Sequence, residues 1–216
     1  MVNFDIDDFN VIGIDPPVSV NCGLAVVNVA SSIAILKEKY TLVLDKTTGA
    51  QTLEQVYNEV EKLINNYCPR AICMERQLGG GFQFGRAKLN EFVGVIKLCA
   101  YKHKVPIVEI SPAHLKMIIA GHGHAPKEVI MENVAKTFGL ADSGAEHECD
   151  AASLALNYFI DEGWKGYRIQ SPYTDEMAKA DREAKKARKK LKEERKKAKE
   201  EAGKVKNSKG RKNAKV

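Results

Sequence analysis

Two short apolar runs in this chain each end on a carboxylate, and that pairing limits the possible folds more than any other feature. Val11-Ile-Gly-Ile-Asp15 and Ala71-Ile-Cys-Met-Glu75 are short continuous apolar runs, the pattern of buried strands. A carboxylate at the end of a buried strand is costly unless something positive meets it. A third apolar segment, residues 151–160, follows directly on His147 and Asp150. Three carboxylates brought together repel one another, and a divalent cation held by their oxygens relieves that repulsion. The residues therefore point to a metal-dependent phosphoryl-transfer site.

The rest of the pattern supplies a scaffold. Residues 9–14, 22–29 and 32–44 read as three strands joined by short turns. Leu53, Val56, Val60, Leu63, Ile64 and Tyr67 then recur at helical spacing, with Gln51 or Thr52 near the helix start and Pro69 at its end. A strand at 70–74 precedes Leu78-Gly-Gly-Gly81, which cannot stay helical for long. An amphipathic helix over 84–103 presents Leu89, Phe92, Val93, Ile96 and Ala100 on one face, and a fifth strand covers 105–110. Ser111-Pro112 has the form of an N-cap followed by proline at the first helical position. Gly121-His-Gly123 ends that short helix, and another covers 126–138. Residues 141–148 are polar and loop-like, and 150–160 is apolar almost all round, as a buried helix is. Three consecutive strands suit a meander, while the later alternation suits parallel pairs joined by crossover helices. The expected fold class is α/β: a mixed five-stranded sheet flanked by helices, with a basic C-terminal extension.

Charge divides the chain where the pattern changes. Residues 175–216 hold 18 Lys or Arg against 8 Asp or Glu, a net of +10, which leaves −4 for residues 1–174 out of the overall +6. We therefore expect a folded domain over 1–172 and a basic tail over 173–216. Such a tail suits nucleic acid or another polyanion, or else serves as a solubilising extension. Ala180, Ala184, Ala187, Leu191, Ala198 and Ala202 give the tail a helical spacing that buries little surface. The spacing predicts a marginal helix, with disorder from Gly203 onward. The 216 residues include five cysteines without CxxC or Cys/His metal spacing. An odd count with no signal peptide pattern favours a reducing, intracellular compartment, and no apolar run is long enough to span a bilayer.

Ile12-Gly-Ile-Asp-Pro16 followed by Gly23-Leu-Ala-Val26, Met74-Glu75 at a strand end, and His147-Glu-Cys-Asp150-Ala-Ala-Ser-Leu-Ala155 together resemble, in order, the motifs of RuvC-type Holliday junction resolvases of the RNase H-like superfamily. The resemblance covers roughly residues 9–162. It implies that Asp15, Glu75 and Asp150 are carboxylate ligands of Mg2+, two ions per site with Mn2+ possible in its place. It also implies that His147 is a further ligand or a water-positioning group. Lys116 and Lys127 match basic positions that the family uses near the scissile phosphate and the junction. Taken singly, these residues have plainer uses: Asp15 before Pro16 suits a turn, Asp150 suits the first turn of a helix, Glu75 suits a solvated strand end, and His147 and the lysines suit the surface.

The chain also departs from the family pattern. Pro17 follows Pro16 where the family usually has glycine, so the first turn is stiffer. Leu78 occupies the position where the family commonly places an aromatic wedge. Phe82 and Phe84, with Lys88 beside them, are candidates to take over stacking and DNA contact, although core or dimer packing would use the phenylalanines equally well.

The implied function is a Mg2+-dependent endodeoxyribonuclease that resolves Holliday junctions by paired symmetric nicks. The implied form is a homodimer built on the helix over 84–103, working on DNA in the cytoplasm of a bacterial or phage-infected cell. The alternatives are a relaxed nuclease cutting forks, flaps and three-way junctions, and a junction-binding scaffold without turnover. An actin-like or sugar-kinase ATPase would need a duplicated domain and a second phosphate loop, and the chain has neither the repeat nor the length.

Overall fold

Side chains alternate along β1 (Phe9–Asp15), so Ile12 and Ile14 face one side of the sheet while Val11, Gly13 and Asp15 face the other. That split organises the whole fold. The computed structural model describes residues 8–30, 33–45, 49–76, 84–161 and 173–212, apart from the side chains of 84–86 and 197–212. Its contacts divide the chain into two units, Met1–Tyr173 and Thr174–Val216.

In the first unit, β1 pairs antiparallel with β2 (Asn21–Ala30), which pairs antiparallel with β3 (Ile33–Val43) across an irregularity at Val26/Val27. On its other side β1 runs parallel to β4 (Ala71–Glu75), which runs parallel to β5 (Ile107–Ile110). The order β3-β2-β1-β4-β5 is the mixed five-stranded sheet expected from the meander and the later crossovers. The fifth strand starts at Ile107 rather than at 105. Pro106 has no N–H for the ladder, and its carbonyl accepts from the Ile72 N–H at 3.0 Å.

One face of the sheet carries Ile12, Ile14, Leu24, Val26, Ile72 and Met74. They pack on Val56, Val60 and Leu63 of α1 (Ala50–Tyr67) and on Phe92 and Ile96 of α2 (Phe84–Lys102). The helix α1 begins at Ala50, after Gly49 at φ 87°, with Gln51 and Thr52 in its first turn as expected. It ends at Cys68, whose left-handed φ of 44° comes just ahead of Pro69. Four of the five cysteines are buried and Cys68 is exposed.

The opposite face is covered by α5 (Glu146–Asp161), which lies over β1, β2, β3 and β4 and is backed by α3 (Pro112–Ala120) and α4 (Lys127–Thr137). Ser111 caps α3 as expected, its hydroxyl accepting from the His114 N–H at 3.3 Å, and Gly121 at φ 73° closes it. Among the described residues no helix is long and apolar enough to cross a membrane.

The second unit is one helix, α6 (Asp175–Lys212). It runs on through Gly203 to Lys212. The lysines, glutamates and alanines that fill α6 are strong helix formers, and they carry the helix past a residue that costs only about 1 kcal/mol in a helix interior.

Candidate metal centre

The parallel register of β1 and β4 sets Ile14 beside Met74, so Asp15 and Glu75 follow as neighbours at the ends of adjacent strands, on the α5 face. Small residues allow α5 to come close enough to join them. A Cβ on Gly13 would lie 1.9 Å from the Ala151 carbonyl oxygen, and one on Gly23, the partner of Asp15 across β1 and β2, would lie 2.0 Å from the His147 carbonyl oxygen. The backbone of α5 therefore rests directly on the two glycines.

The helix α5 begins at Glu146, not at residue 150, so the polar stretch assigned to a loop contributes its first turn. Glu146 and Glu148 in that turn face the positive end of the helix dipole, and Cys149 N–H bonds to the Ala145 carbonyl at 3.1 Å. His147 and Asp150 thus stand one turn apart on the same helical side.

Each is held. His147 Nδ1 and Asp15 Oδ2 are 2.7 Å apart, on side chains 37% and 24% exposed. Lys127 Nζ donates to Asp150 Oδ2 at 2.6 Å and also to Glu146. Burial pushes the Asp15 carboxyl above the usual range; the charge of Asp150 adds to the rise, while His147 and Lys127 oppose it. Burial likewise raises Glu75, helped by the charges of Asp15 and Asp150 and opposed by Lys127 and Lys116. On Lys127, burial works against the charge, but the bonds to Asp150 and Glu146 outweigh it and raise the pKa. The three carboxylates and two lysines therefore feel one another's charge. Among the described residues, no three ligand-type side chains close into a tight cage; His147 and Lys127 occupy the carboxylates instead. Oxygen donors of like charge, partly buried and destabilised by one another, form a set that suits a hard divalent cation.

Lys116 stands half-buried on α3 and Lys88 half-buried near the start of α2. Phe84 is the first residue of α2; its side chain, together with Phe82 and Leu78, lies outside the described residues.

Sequence reasoning missed the parts that hold the site in place. Gly13 and Gly23 carried a readable signal, since an isolated glycine inside a strand often marks a close backbone approach. Lys39 of β3 carried none. Its ammonium donates to the Ser143 carbonyl at 2.8 Å and to Glu148 Oε2 at 2.9 Å, with the two side chains 15% and 21% exposed. This clasp ties the approach to α5 and its first turn to the sheet. Lys39→Met is expected to destabilise the fold by about 1–2 kcal/mol. It should also slow the phosphoryl transfer expected at this site about tenfold at a temperature where the variant is fully folded, with Lys39→Arg recovering most of the rate. A lowered Tm with an unchanged rate would reduce Lys39 to a stabilising contact.

Residues 11–158 match the family model described as crossover junction endodeoxyribonuclease RuvC. A protein of that name from Gloeobacter violaceus is 29% identical over 161 residues, covering 71% of this chain and 87% of its own. Another from Hydrogenovibrio crunogenus is 32% identical over 113 residues, 52% of this chain and 66% of its own. The structure of Thermus thermophilus RuvC superposes with a TM-score of 0.64 at 26% identity, covering 71% of this chain and 95% of that one. The same protein in complex with a Holliday junction substrate gives a TM-score of 0.64 over 69% of this chain and 92% of its own. The order of motifs, the mixed sheet and the carboxylates at its strand ends thus have one common origin: the chain belongs to the RuvC family of crossover junction endodeoxyribonucleases, with its RNase H-like fold.

Proposed function

We propose that this chain resolves four-way DNA junctions by paired, symmetric nicks, hydrolysing one phosphodiester at the cluster of Asp15, Glu75, Asp150 and His147 in each protomer of a homodimer. The observation that carries this reading is geometric: Asp15 and Glu75 end adjacent parallel strands, and the close seat of α5 brings His147 and Asp150 to them, with burial and neighbouring carboxylate charge raising both Asp15 and Glu75. Asp15, Glu75 and Asp150 are the residues that would hold Mg2+, or Mn2+ in its place, with two ions per site. When bound, such ions stabilise charge on the phosphoryl oxygens and make water a nucleophile at neutral pH.

The remaining work falls to this chain's own side chains. An ionised Asp15 takes the Nδ1–H of His147, which leaves Nε2 as an acceptor for a proton of the attacking water. That favours a water-positioning role for His147 over ligation. As the water oxygen bonds to phosphorus and gives its proton to His147 Nε2, the bond to the 3′-oxygen breaks and that oxygen takes a proton from solvent, leaving a 3′-hydroxyl and a 5′-phosphate. Lys127 and Lys116 neutralise the phosphate at the cut, fixing register without reading sequence; Lys88, Phe82 and Phe84 are further DNA contacts.

The dimer would form on α2, where Leu98 is 51% and Tyr101 82% exposed one turn apart. A two-fold dimer matches the symmetry of a four-way junction. Such an enzyme acts on DNA in the cytoplasm of its cell or host.

The test is incubation of a labelled, mobile four-way junction with the protein in Mg2+, Mn2+ or EDTA, with forks and flaps alongside. Paired nicks placed symmetrically, present with either ion and absent in EDTA, are expected. Equal cutting of forks and flaps would point to a relaxed nuclease. Junction binding without cutting in either ion would leave only a scaffold.

A further inference from the structure

The second unit carries a feature that the nuclease site does not use. Lys185, Arg188, Lys189, Lys192, Arg195 and Lys196 of α6 follow the spacing i, i+3, i+4, i+7, i+10, i+11 and so share one face of the helix. All six are exposed. Five of them, with Leu191, line one shallow groove along the helix surface. Glu183, Glu193 and Glu194 fall outside that face; Asp181, one turn before Lys185, shares it at its N-terminal edge, so no acid stands between the first and the last of the six cations. Lys179, Lys186 and Lys190, at i, i+7 and i+11, share a different face.

We infer that this face of α6 is a docking surface for a duplex arm of the branched DNA, separate from the contacts at the cleavage site. The inference takes its substrate from the proposed junction cleavage. Six cations are spread along about 16 Å of helix at the rise of roughly 1.5 Å per residue, against about one phosphate charge per 1.7 Å of duplex axis. That is about one cation per 2.7 Å, between the spacing of the whole duplex and the roughly 3.4 Å of a single strand, and far more than a single small anion needs. A lipid surface would require a broad apolar side to insert. Here the side next to the cations is a narrow strip of Ala180, Ala184 and Ala187, with Met177 near the helix start and Leu191 four turns on as its large residues. Lysine and arginine contacts to phosphate carry no sequence information, so the face holds an arm of any sequence.

The experiment compares two full-length variants with the same net charge: Lys185→Gln/Lys189→Gln/Lys192→Gln on the basic face and Lys179→Gln/Lys186→Gln/Lys190→Gln off it. Glutamine is a helix former close to lysine, so both keep α6. Affinity for a labelled four-way junction and for a plain 30-base-pair duplex is measured in EDTA from about 50 to 300 mM salt, by an anisotropy titration typical of such contacts. The on-face triple should show a slope of log K against log salt shallower by about 2.7, and binding weaker on the order of a hundredfold near 0.15 M salt. The off-face triple should stay near wild type on both DNAs. Equal losses in the two triples would show attraction by net charge alone, and an unchanged slope in the on-face triple would show no contact; either overturns the inference. Face-dependent binding to phosphatidylserine–phosphatidylcholine vesicles with no change on DNA would overturn it in favour of a lipid surface. Cleavage is read separately in Mg2+. A face-dependent slope in a protein that does not cut sinks the proposed function and leaves this inference standing; cutting with no face dependence does the reverse.

Discussion

Asp15→Asn is expected to lower junction cleavage in Mg2+ by about 10³-fold while junction affinity in EDTA stays within about twofold of wild type. The side chain stays the same size, so the strand end and the packing of α5 are kept. What is lost is a charge that the two other carboxylates already oppose. The same substitution should reverse sign in stability. The Asp15 carboxyl sits above its ordinary 3.8 in the folded chain, so it binds its proton more tightly folded than unfolded. Its stabilising contribution is present below that ordinary value and is lost as pH rises through the raised one. In EDTA at neutral pH, Asp15→Asn should therefore melt above wild type, with the gap closing as pH falls toward 4. Mg2+ at about a hundred times its Kd should add about 2.7 kcal/mol to wild type, or roughly 5–10 °C in Tm for a domain of this size, and little to the variant. A calorimetric scan showing wild type the more stable in EDTA, or no response to Mg2+, would count against a shared cation site.

The second large effect lies in the glycines. Gly13→Ala puts a methyl 1.9 Å from the Ala151 carbonyl and about 3.0 Å from the Ala155 amide nitrogen. Neither neighbour is a flexible side-chain end, so the middle of α5 has to lift from the sheet. Overpacking of this kind costs about 1–3 kcal/mol, and the lift carries Asp150 and His147 away from Asp15. Gly23→Ala meets the His147 carbonyl instead, at 2.0 Å, where only the first helical turn must yield. The two variants should therefore separate. Both should lose cleavage by about 10²-fold, since a misplacement near 1 Å is enough for that, but Gly13→Ala should lose the greater share of Tm. Cleavage near wild type in Gly23→Ala, with its Tm lowered, would show that the first turn of α5 does not set the geometry of the reaction.

These contrasts also mark what the sequence could reveal. The strands bearing Asp15 and Glu75 were legible because an apolar run that stops at a carboxylate leaves few other readings; that they lie side by side comes from the sheet order. The start of α5 was not legible. Glu146, His147 and Glu148 look like loop by polarity alone, and only the helix dipole and the sheet beneath explain why they are helical. The clasp of Lys39 on Ser143 and Glu148 joins residues more than a hundred positions apart, a pairing that no local pattern encodes.

The left-handed close of α1 gives the molecule a single chemical handle. Cys22, Cys73, Cys99 and Cys149 are buried, and burial pushes the thiols of Cys99 and Cys149 up to about 11 and about 12, where almost none is thiolate at neutral pH. Cys68 stands alone in solvent at the helix end. A maleimide dye at limiting concentration would therefore attach once per chain without any engineered cysteine. Mixed donor and acceptor labelling would then make the approach of two protomers on one junction visible as energy transfer.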